Sequence, residues 1–387
     1  MQLVSTSILE DYIFRRYRKR SFCDFPFDAT LRKAGNRPST VPPRASQMEV
    51  ALSNWYTSPN QRSEWVAKIE ITTGKALTKQ VPNLNKVEID NSIAVPAACQ
   101  FTKPGHTLKV IGLNAGRGAY WFEIADIIRT TISLEKPDLI ILNEMDIGMA
   151  RSGNIHTTRK LAFELGMNYD WGLEFVELMN GNHEEQKATK NMKNALGLHG
   201  NAILSTCSLY DPLILRDALD EKYFTNRRFK MNAIGSEKRL GGRTGLFVRT
   251  GGASSMEGVN EHIIVGSVHK VHPSLHKERI WQYFNATPGS TLGAKVGIIT
   301  AGDEKRDFCP HSGLQNLDDA RSGNTWPADC KWGRLGKGRG DNFCGDMTVI
   351  GQDETILPCY YPPVNVDGTA TQVSDHSFIK INLQVPE

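Results

Sequence analysis

From residue 107 onward, one short apolar run after another is closed by a carboxylate, an amide or an imidazole. Asn114 follows Val110–Leu113, Glu144 follows Leu139–Leu142 through Asn143, and His269 follows Ile263–Val268. Asp303 follows Val296–Thr300 through Ala301-Gly302, and Asp375-His376 stands directly before Ser377–Leu383. Runs of this length read as strands, and strands end at sheet rims, where a rigid scaffold can present polar groups to a common point. Singly, each residue is an ordinary turn former or cap; their recurrence points to one convergent site. Glu144, Asp375 and Asn114 are hard oxygen donors suited to Mg²⁺ or Mn²⁺. Such an ion neutralises phosphate charge and sharpens a water nucleophile. Asp303 can orient that water, and an imidazole can donate to a phosphoryl oxygen or a leaving group.

The elements that would position these groups are legible from residue 107 onward. Leu108–Leu113 and Asp138–Leu142 read as buried strands. Between them Ile124, Ile127, Ile128 and Ile132 share one helical face. A helix near His156–Leu165 and a strand near Tyr169–Leu178 follow. Further strand candidates are Ala202–Leu204, Gly245–Arg249, Ile263–Val268, Lys295–Thr300 and Ser377–Leu383, with a helix around Leu275–Phe284. Many short strands with few helices between them describe an α/β protein with more than one sheet. Residues 1–105 differ: periodicity is weak, prolines are frequent, and Arg15-Arg16-Tyr17-Arg18-Lys19-Arg20 is the densest basic cluster in the chain. That cluster is either a solvated basic segment or an arm for nucleic acid or an anionic membrane.

With 387 residues the chain has the length of two to three domains, and 40% hydrophobic with 23% charged residues is ordinary for a globular protein. Collagen and global disorder are excluded on composition. No run approaches the roughly 18 apolar residues of a membrane helix, so no integral membrane segment is expected. A net charge of +4 does not by itself point to a nucleic-acid partner. Glu10 and Asp11 interrupt what would have to be the apolar part of a secretory leader, so an intracellular location is expected. The seven cysteines include Cys309, Cys330, Cys344 and Cys359, and no spacing is CxxC, which argues against zinc. Compartment logic favours reduced thiols; in an exported protein Cys309–Cys330 and Cys344–Cys359 are the economical pairs.

Seven blocks stand in order: Leu113-Asn114, Asn143-Glu144, Gly200-Asn201-Ala202-Ile203-Leu204-Ser205, Val268-His269, Gly302-Asp303, Arg339-Gly340-Asp341 and Ser374-Asp375-His376. Together they resemble the endonuclease/exonuclease/phosphatase superfamily, the DNase-like metal phosphohydrolases. The resemblance implies an α/β (α+β) fold, a four-layer αββα sandwich of two packed mixed sheets over residues 106–387. Residues 1–105 would be an irregular N-terminal extension. It further implies that Glu144 and Asn114 hold the divalent metal, Mg²⁺ or Mn²⁺, with Asp375 helping. Asp303 would position or deprotonate the attacking water and His376 would polarise the phosphate. Asp341 would orient His376, and His269 would be a second phosphate contact or acid. His199 and Asn201 would line the substrate site. The stretches Asn143–Asn154 and Arg239–Thr244 also look like those of uncharacterised members.

One position departs from the pattern. Where the family has Gly-Asp-x-Asn, this chain has Gly302-Asp303-Glu304-Lys305. An amide both donates and accepts, whereas Lys305 only donates. Lys305 is therefore either a phosphate clamp or the mark of a lost activity. The insertion 304–340 ends in the basic, glycine-rich run Lys331–Gly340, which could track a phosphate backbone and stack a base on Trp332. The expected function is a Mg²⁺-dependent phosphodiesterase acting on nucleic acid as a monomer. The alternatives are a phospholipid or inositol-phosphate phosphohydrolase and a catalytically inactive binding module.

Lys305→Asn separates the two readings of that position. If the ammonium clamps a terminal phosphate, the variant binds such substrates more weakly and shifts toward internal diesters. If the ammonium disables the site, a near-zero rate rises, by about 10²-fold for a transition-state contact. Paired rate assays on monoester and diester substrates read the sign, and a change in neither places Lys305 outside the site.

Overall fold

The computed structural model describes residues 87–94, 105–132, 136–177, 179–216, 239–251, 262–269, 280, 282–284, 297–303, 315–317, 341–345, 347–350, 355–357, 360–361, 371–372, 374 and 378–384. In chain order the first strands are β1 (Glu88–Asp90), β2 (Thr107–Asn114), β3 (Leu139–Ile147), β4 (Asn168–Glu177), β5 (Leu198–Ser205), β6 (Ser208–Arg216), β7 (Arg239–Gly241) and β8 (Thr244–Gly251). They continue as β9 (His262–Val268), β10 (Ile298–Asp303), β11 (Gln315–Asn316), β12 (Asp341–Gly345), β13 (Thr348–Val349), β14 (Thr355–Leu357), β15 (Tyr360–Tyr361), β16 (Thr371–Gln372) and β17 (Phe378–Gln384). A nine-stranded sheet runs β1-β4-β5-β3-β2-β17-β13, with β7 on β4 and β14 on β17. A six-stranded sheet runs β11-β12-β10-β9-β8-β6, and β15 pairs with β16 apart from both.

The two large sheets repeat one device. Each contains a parallel pair, β2 with β3 and β9 with β10. Each pair is flanked by antiparallel neighbours, β17 and β5 in the first sheet and β8 and β12 in the second. A parallel pair needs a crossover, and a helix is the usual one. α1 (Trp121–Ile127) serves β2 and β3, and helical residues 280 and 282–284 lie between β9 and β10. The consequence is functional. Asn114 and Asn143 close one parallel pair as register partners, while Val268-His269 and Gly302-Asp303 close the other.

Three apolar clusters define the layers. Between the sheets, Val110, Ile141 and Ile203 of the first pack with Val248, Val265 and Phe343 of the second. Outside the first sheet, Ile124 and Ile127 of α1 and Leu161 and Leu165 of α2 (Thr157–Leu165) cover Ile140, Leu142 and Trp171. Outside the second, Ile280 and Phe284, one helical turn apart, cover Phe247 and Ile264. The order is helix, sheet, sheet, helix, as the family resemblance implied. α2 is well terminated: the His156 side chain accepts the Arg159 N–H at its start, and Gly166 at φ 62° closes its end. A fourth helix-like element is the short α3 (His183–Ala188).

Three expectations need correction. β1 lies inside the segment read as an extension, yet it is the edge strand of the nine-stranded sheet. Glu88 anchors it, its Oε1 accepting from Tyr169 Oη at 2.5 Å, Arg159 Nη2 at 3.0 Å and lying 3.1 Å from His156 Nε2. β10 does not stop at Thr300 but runs through Gly302 to Asp303, so Asp303 is a strand residue and the register partner of Asp341. Finally, Cys207 and Cys344 each take part in a disulfide, whereas compartment logic favoured free thiols. Among the described residues no helix is long and apolar enough to cross a membrane.

Gly302 is the tightest point of the rim. At φ 149° it is in backbone territory that side chains avoid, and a Cβ there would lie 1.9 Å from the Val268 carbonyl oxygen and 2.4 Å from Asn143 Oδ1. Gly302→Ala should therefore lower stability by about 3 kcal/mol through strain and overpacking. Urea denaturation of the two proteins measures it, and an unchanged midpoint would contradict the close approach.

Candidate active site

The site grows from a fault in the β3–β5 ladder. The register slips between Leu142 and Met145, leaving Glu144 in a bulge at φ 59°. Leu142 and Met145 both stay in the core, and of the two residues between them Asn143 is buried while Glu144 is partly exposed. A left-handed non-glycine residue costs about 1–3 kcal/mol and persists only where its surroundings impose it. Burial pushes the Glu144 carboxyl up, but the charges of Arg117, His269, His199 and Arg243 outweigh it and hold the group well below the usual carboxylate range. Arg117 is the nearest of these. It is itself left-handed, at φ 75° in the turn Gly116–Gly118, and pairs with Glu144 while its Nε lies 3.5 Å from Glu185 Oε1.

Asn114 closes β2 beside this turn. Its Oδ1 accepts the Gly116 N–H at 3.1 Å, an arrangement that fixes the amide and bends the chain into the Arg117 turn. Ser374 Oγ donates to the Asn114 carbonyl at 2.5 Å, which brings the chain one residue short of Asp375 to the same rim.

The sheets are tied together here by buried polar groups. Ser267 Oγ of β9 donates to the Leu142 carbonyl at 2.7 Å and accepts Asn143 Nδ2 at 2.9 Å. Asn201 of β5 accepts from Asn143 at 3.3 Å and donates to the Thr244 carbonyl at 3.2 Å. All but the Asn143–Asn201 bond cross from one sheet to the other, so the closing residues of β3 and β9 cannot drift apart without stranding buried donors.

Two carboxylate–imidazole pairs flank Glu144. His269 is fully buried; its Nδ1 lies 2.8 Å from Glu174 Oε2 and its Nε2 lies 3.5 Å from Glu144 Oε1. Burial and the Arg243 charge push this imidazole below its usual range, against the pull of Glu174 and Glu144. Arg243 Nη1 lies against both ring nitrogens, 2.8 Å from Nδ1 and 2.6 Å from Nε2. Arg243 also donates to Glu174 Oε1 at 2.8 Å. The second pair is His199 Nδ1 with Asp146 Oδ1 at 2.8 Å. Asp146 is gripped on both oxygens by buried Arg151, at 2.8 and 3.0 Å, and His199 Nε2 is buried without a hydrogen-bond partner.

Of the residues expected in the site, Asn114, Glu144, His199 and His269 come together at this rim. Asn201 is adjacent but fully buried, its amide engaged in tying the sheets. Asp303 and Asp341 are placed as backbone partners across β10 and β12. Asp375, His376 and Lys305 lie outside the described residues, as do Arg15–Arg20 and the loop 331–340. Residues that sequence reading missed are Arg117, Asp146, Arg151, Glu174 and Arg243. Glu174 and Asp146 had one readable mark, a carboxylate inside an otherwise buried strand.

Among the described residues no three His, Cys, Asp or Glu side chains are grouped to hold a metal. The donor set of an ionised Glu144 carboxylate and an Asn114 carboxamide nevertheless fits a hard divalent cation, which takes a few oxygen ligands and keeps positions for water and substrate. The positive charge on Glu144 here is supplied by the Arg117 guanidinium.

No protein-family model matches the chain, and no curated protein matches it. Solved structures do. An endonuclease/exonuclease/phosphatase from Beutenbergia cavernae is similar at 16% identity over 72% of this chain and 72% of that one, with a TM-score of 0.39. A mannosyl-6-phosphatase from Bacteroides thetaiotaomicron is similar at 13% identity over 71% and 99%, TM-score 0.42. TDP2 from D. rerio, complexed with a single-strand DNA product, is similar at 12% identity over 72% and 98%, TM-score 0.34.

Glu174 offers a direct test of the His269 arrangement. Burial would raise its carboxyl, yet the charges of His269 and Arg243 and the His269 hydrogen bond bring it down to about 2. A depressed carboxyl stabilises the fold above its unfolded value of about 4.5, and that contribution disappears as pH falls toward about 2. Glu174→Gln should cost about 3 kcal/mol at neutral pH, and the gap to the native chain should narrow below about pH 4.5. Denaturation curves across this range check it; a gap independent of pH would contradict the assignment.

Proposed function

We propose that the chain is a divalent-metal-dependent hydrolase of phosphate esters, acting first of all on the phosphodiesters of nucleic acid. The observation that carries this reading is the Glu144 bulge: an ionised carboxylate, held in a strained backbone, at the one rim where two parallel strand pairs end. The reading agrees with the order of seven sequence blocks around the same residues. Nucleic acid is preferred among phosphate esters because of the basic run Arg15–Arg20 and the loop Lys331–Gly340.

In this mechanism Glu144, Asn114 and Asp375 would hold the ion, which would neutralise phosphate oxygens and sharpen the attacking water. Asp303 accepts the proton of that water as its oxygen bonds to phosphorus and the ester P–O bond breaks. His376 donates to the phosphate, oriented by Asp341; the departing alkoxide takes a proton from solvent water, and the hydroxide left behind takes back the proton that Asp303 accepted, which restores the site. Burial and the Arg243 charge hold the His269 imidazole below its usual range, and its Nδ1 faces Glu174. It therefore positions rather than donates, and Arg243, held by His269 and Glu174, supplies the positive contact to the phosphate.

The test is hydrolysis of an aryl phosphodiester with Mg²⁺ or Mn²⁺ and with EDTA. The native chain should turn over only with the ion. Glu144→Gln should lower the rate by about 10²-fold or more while the circular dichroism spectrum is kept. Metal-independent turnover, or full activity in Glu144→Gln, would refute the proposal.

A further inference from the structure

Beside the rim, one cross-strand row runs over four strands of the nine-stranded sheet. Asp146 of β3 is opposite His199 of β5, His199 is opposite Phe175 of β4, and Phe175 is opposite Gly241 of β7. The row is packed: Asp146 bonds His199, and the His199 ring stacks on Phe175 with 6.1 Å between centroids and 23° between planes. At its end stands a residue with no side chain. A Cβ on Gly241, at φ 113°, would meet the Glu174 carbonyl oxygen at 2.2 Å. Arg239 and Arg243 stand two residues to either side of it. Both fold back over the same ring, with Cζ atoms 3.9 and 5.5 Å from the Phe175 centroid.

Two guanidiniums over one ring repel each other. Buried acids offset this: Arg243 pairs with Glu174 at 2.8 Å, and Arg239 lies 3.9 Å from Glu177. The arginine side chains keep 24% and 29% exposure while both glutamates are fully buried, so each planar guanidinium has an acid behind it and a part that faces solvent. Guanidinium forks match the oxygens of a phosphate. Arg243 already reaches the rim through His269, which leaves Arg239 one step further out on the same platform.

We infer that Arg239 and Arg243 on Phe175 form a second anion subsite, which selects phosphate esters carrying another phosphate next to the scissile one. This rests on the phosphoester-hydrolase reading above. The ligand is a phosphate dianion; its sources are the terminal phosphate of an oligonucleotide or a second phosphate on a polyol.

The experiment compares the full chain with Arg239→Ala and Arg239→Lys on a dinucleotide with and without a 5′-phosphate, and on inositol bisphosphate against inositol monophosphate. The native chain should prefer the doubly phosphorylated member of at least one pair by about tenfold in kcat/KM. That pair identifies the source. Arg239→Ala should bring the ratio to about one, acting through KM, with turnover of the singly phosphorylated substrate unchanged; Arg239→Lys should keep only part of the preference. Hydrolysis of all substrates with no preference, or a preference that survives Arg239→Ala, overturns the subsite and leaves the hydrolase reading standing. If nothing is hydrolysed, that reading fails, and calorimetric titration with the same compounds decides the subsite alone. Equal affinity of the native chain and Arg239→Ala for the doubly phosphorylated compounds then overturns it, and weaker binding by the variant supports it.

Discussion

Everything described at the rim depends on the hydrogen bonds that Ser267 makes across the gap between the sheets. Apolar packing sets how far apart two sheets lie but does little to fix their sliding register, because dispersion and hydrophobic burial are non-directional. The Ser267 hydroxyl donates to the Leu142 carbonyl and accepts from Asn143, and the Asn143 amide also reaches Asn201. All of these groups are buried, so any slip leaves a desolvated donor or acceptor, at about 1–3 kcal/mol each. Directional bonds at this one edge convert a sandwich held by oil into a scaffold with defined strand ends. Gly302 completes the closure, since the absence of a side chain there lets β10 approach both β9 and Asn143.

On that fixed edge the protein assembles a charge pattern rather than a lone acid. Glu144, Glu174, Asp146 and Glu185 alternate with Arg117, Arg243 and Arg151, and two imidazoles lie between them. Buried ion pairs of this kind contribute little net stability, because desolvation offsets most of the attraction. What they provide is orientation: each carboxylate fixes one ring or one guanidinium. Removing one member leaves its partner charged and dry, which is why single substitutions here should cost more than the pairs contribute.

How much of this was legible depended on whether a residue's role follows from its neighbours in sequence. Glu144 and Asn114 could be read because each terminates an apolar run. α2 was read near His156–Leu165, and the structure places it at Thr157–Leu165 with His156 as its cap and Gly166 closing it. More than one sheet followed from many short strands, and the four-layer order was implied by the family resemblance of the seven blocks. Arg117 could not be read, since Gly116-Arg117-Gly118 looks like any surface turn, and its pairing with Glu144 is created by backbone dihedrals. Glu174 and Asp146 sit in strands whose partners, His269 and His199, are 95 and 53 residues away. Asn201 was read as a residue lining the substrate site; the structure shows its amide joining the two sheets. β1 was missed because three residues with one carboxylate carry no pattern until Tyr169, Arg159 and His156 surround it.

The central claim is that the bulge at Glu144 presents a cation-binding carboxylate at the rim where both sheets end. Crystals of the full chain soaked in Mn²⁺ and measured at the manganese absorption edge test it most directly. The account predicts an anomalous peak in contact with the Glu144 carboxylate and the Asn114 side-chain oxygen, with Arg117 drawn away from Glu144 toward Glu185. An anomalous peak elsewhere in the molecule, with Glu144 still bound to Arg117, would contradict it.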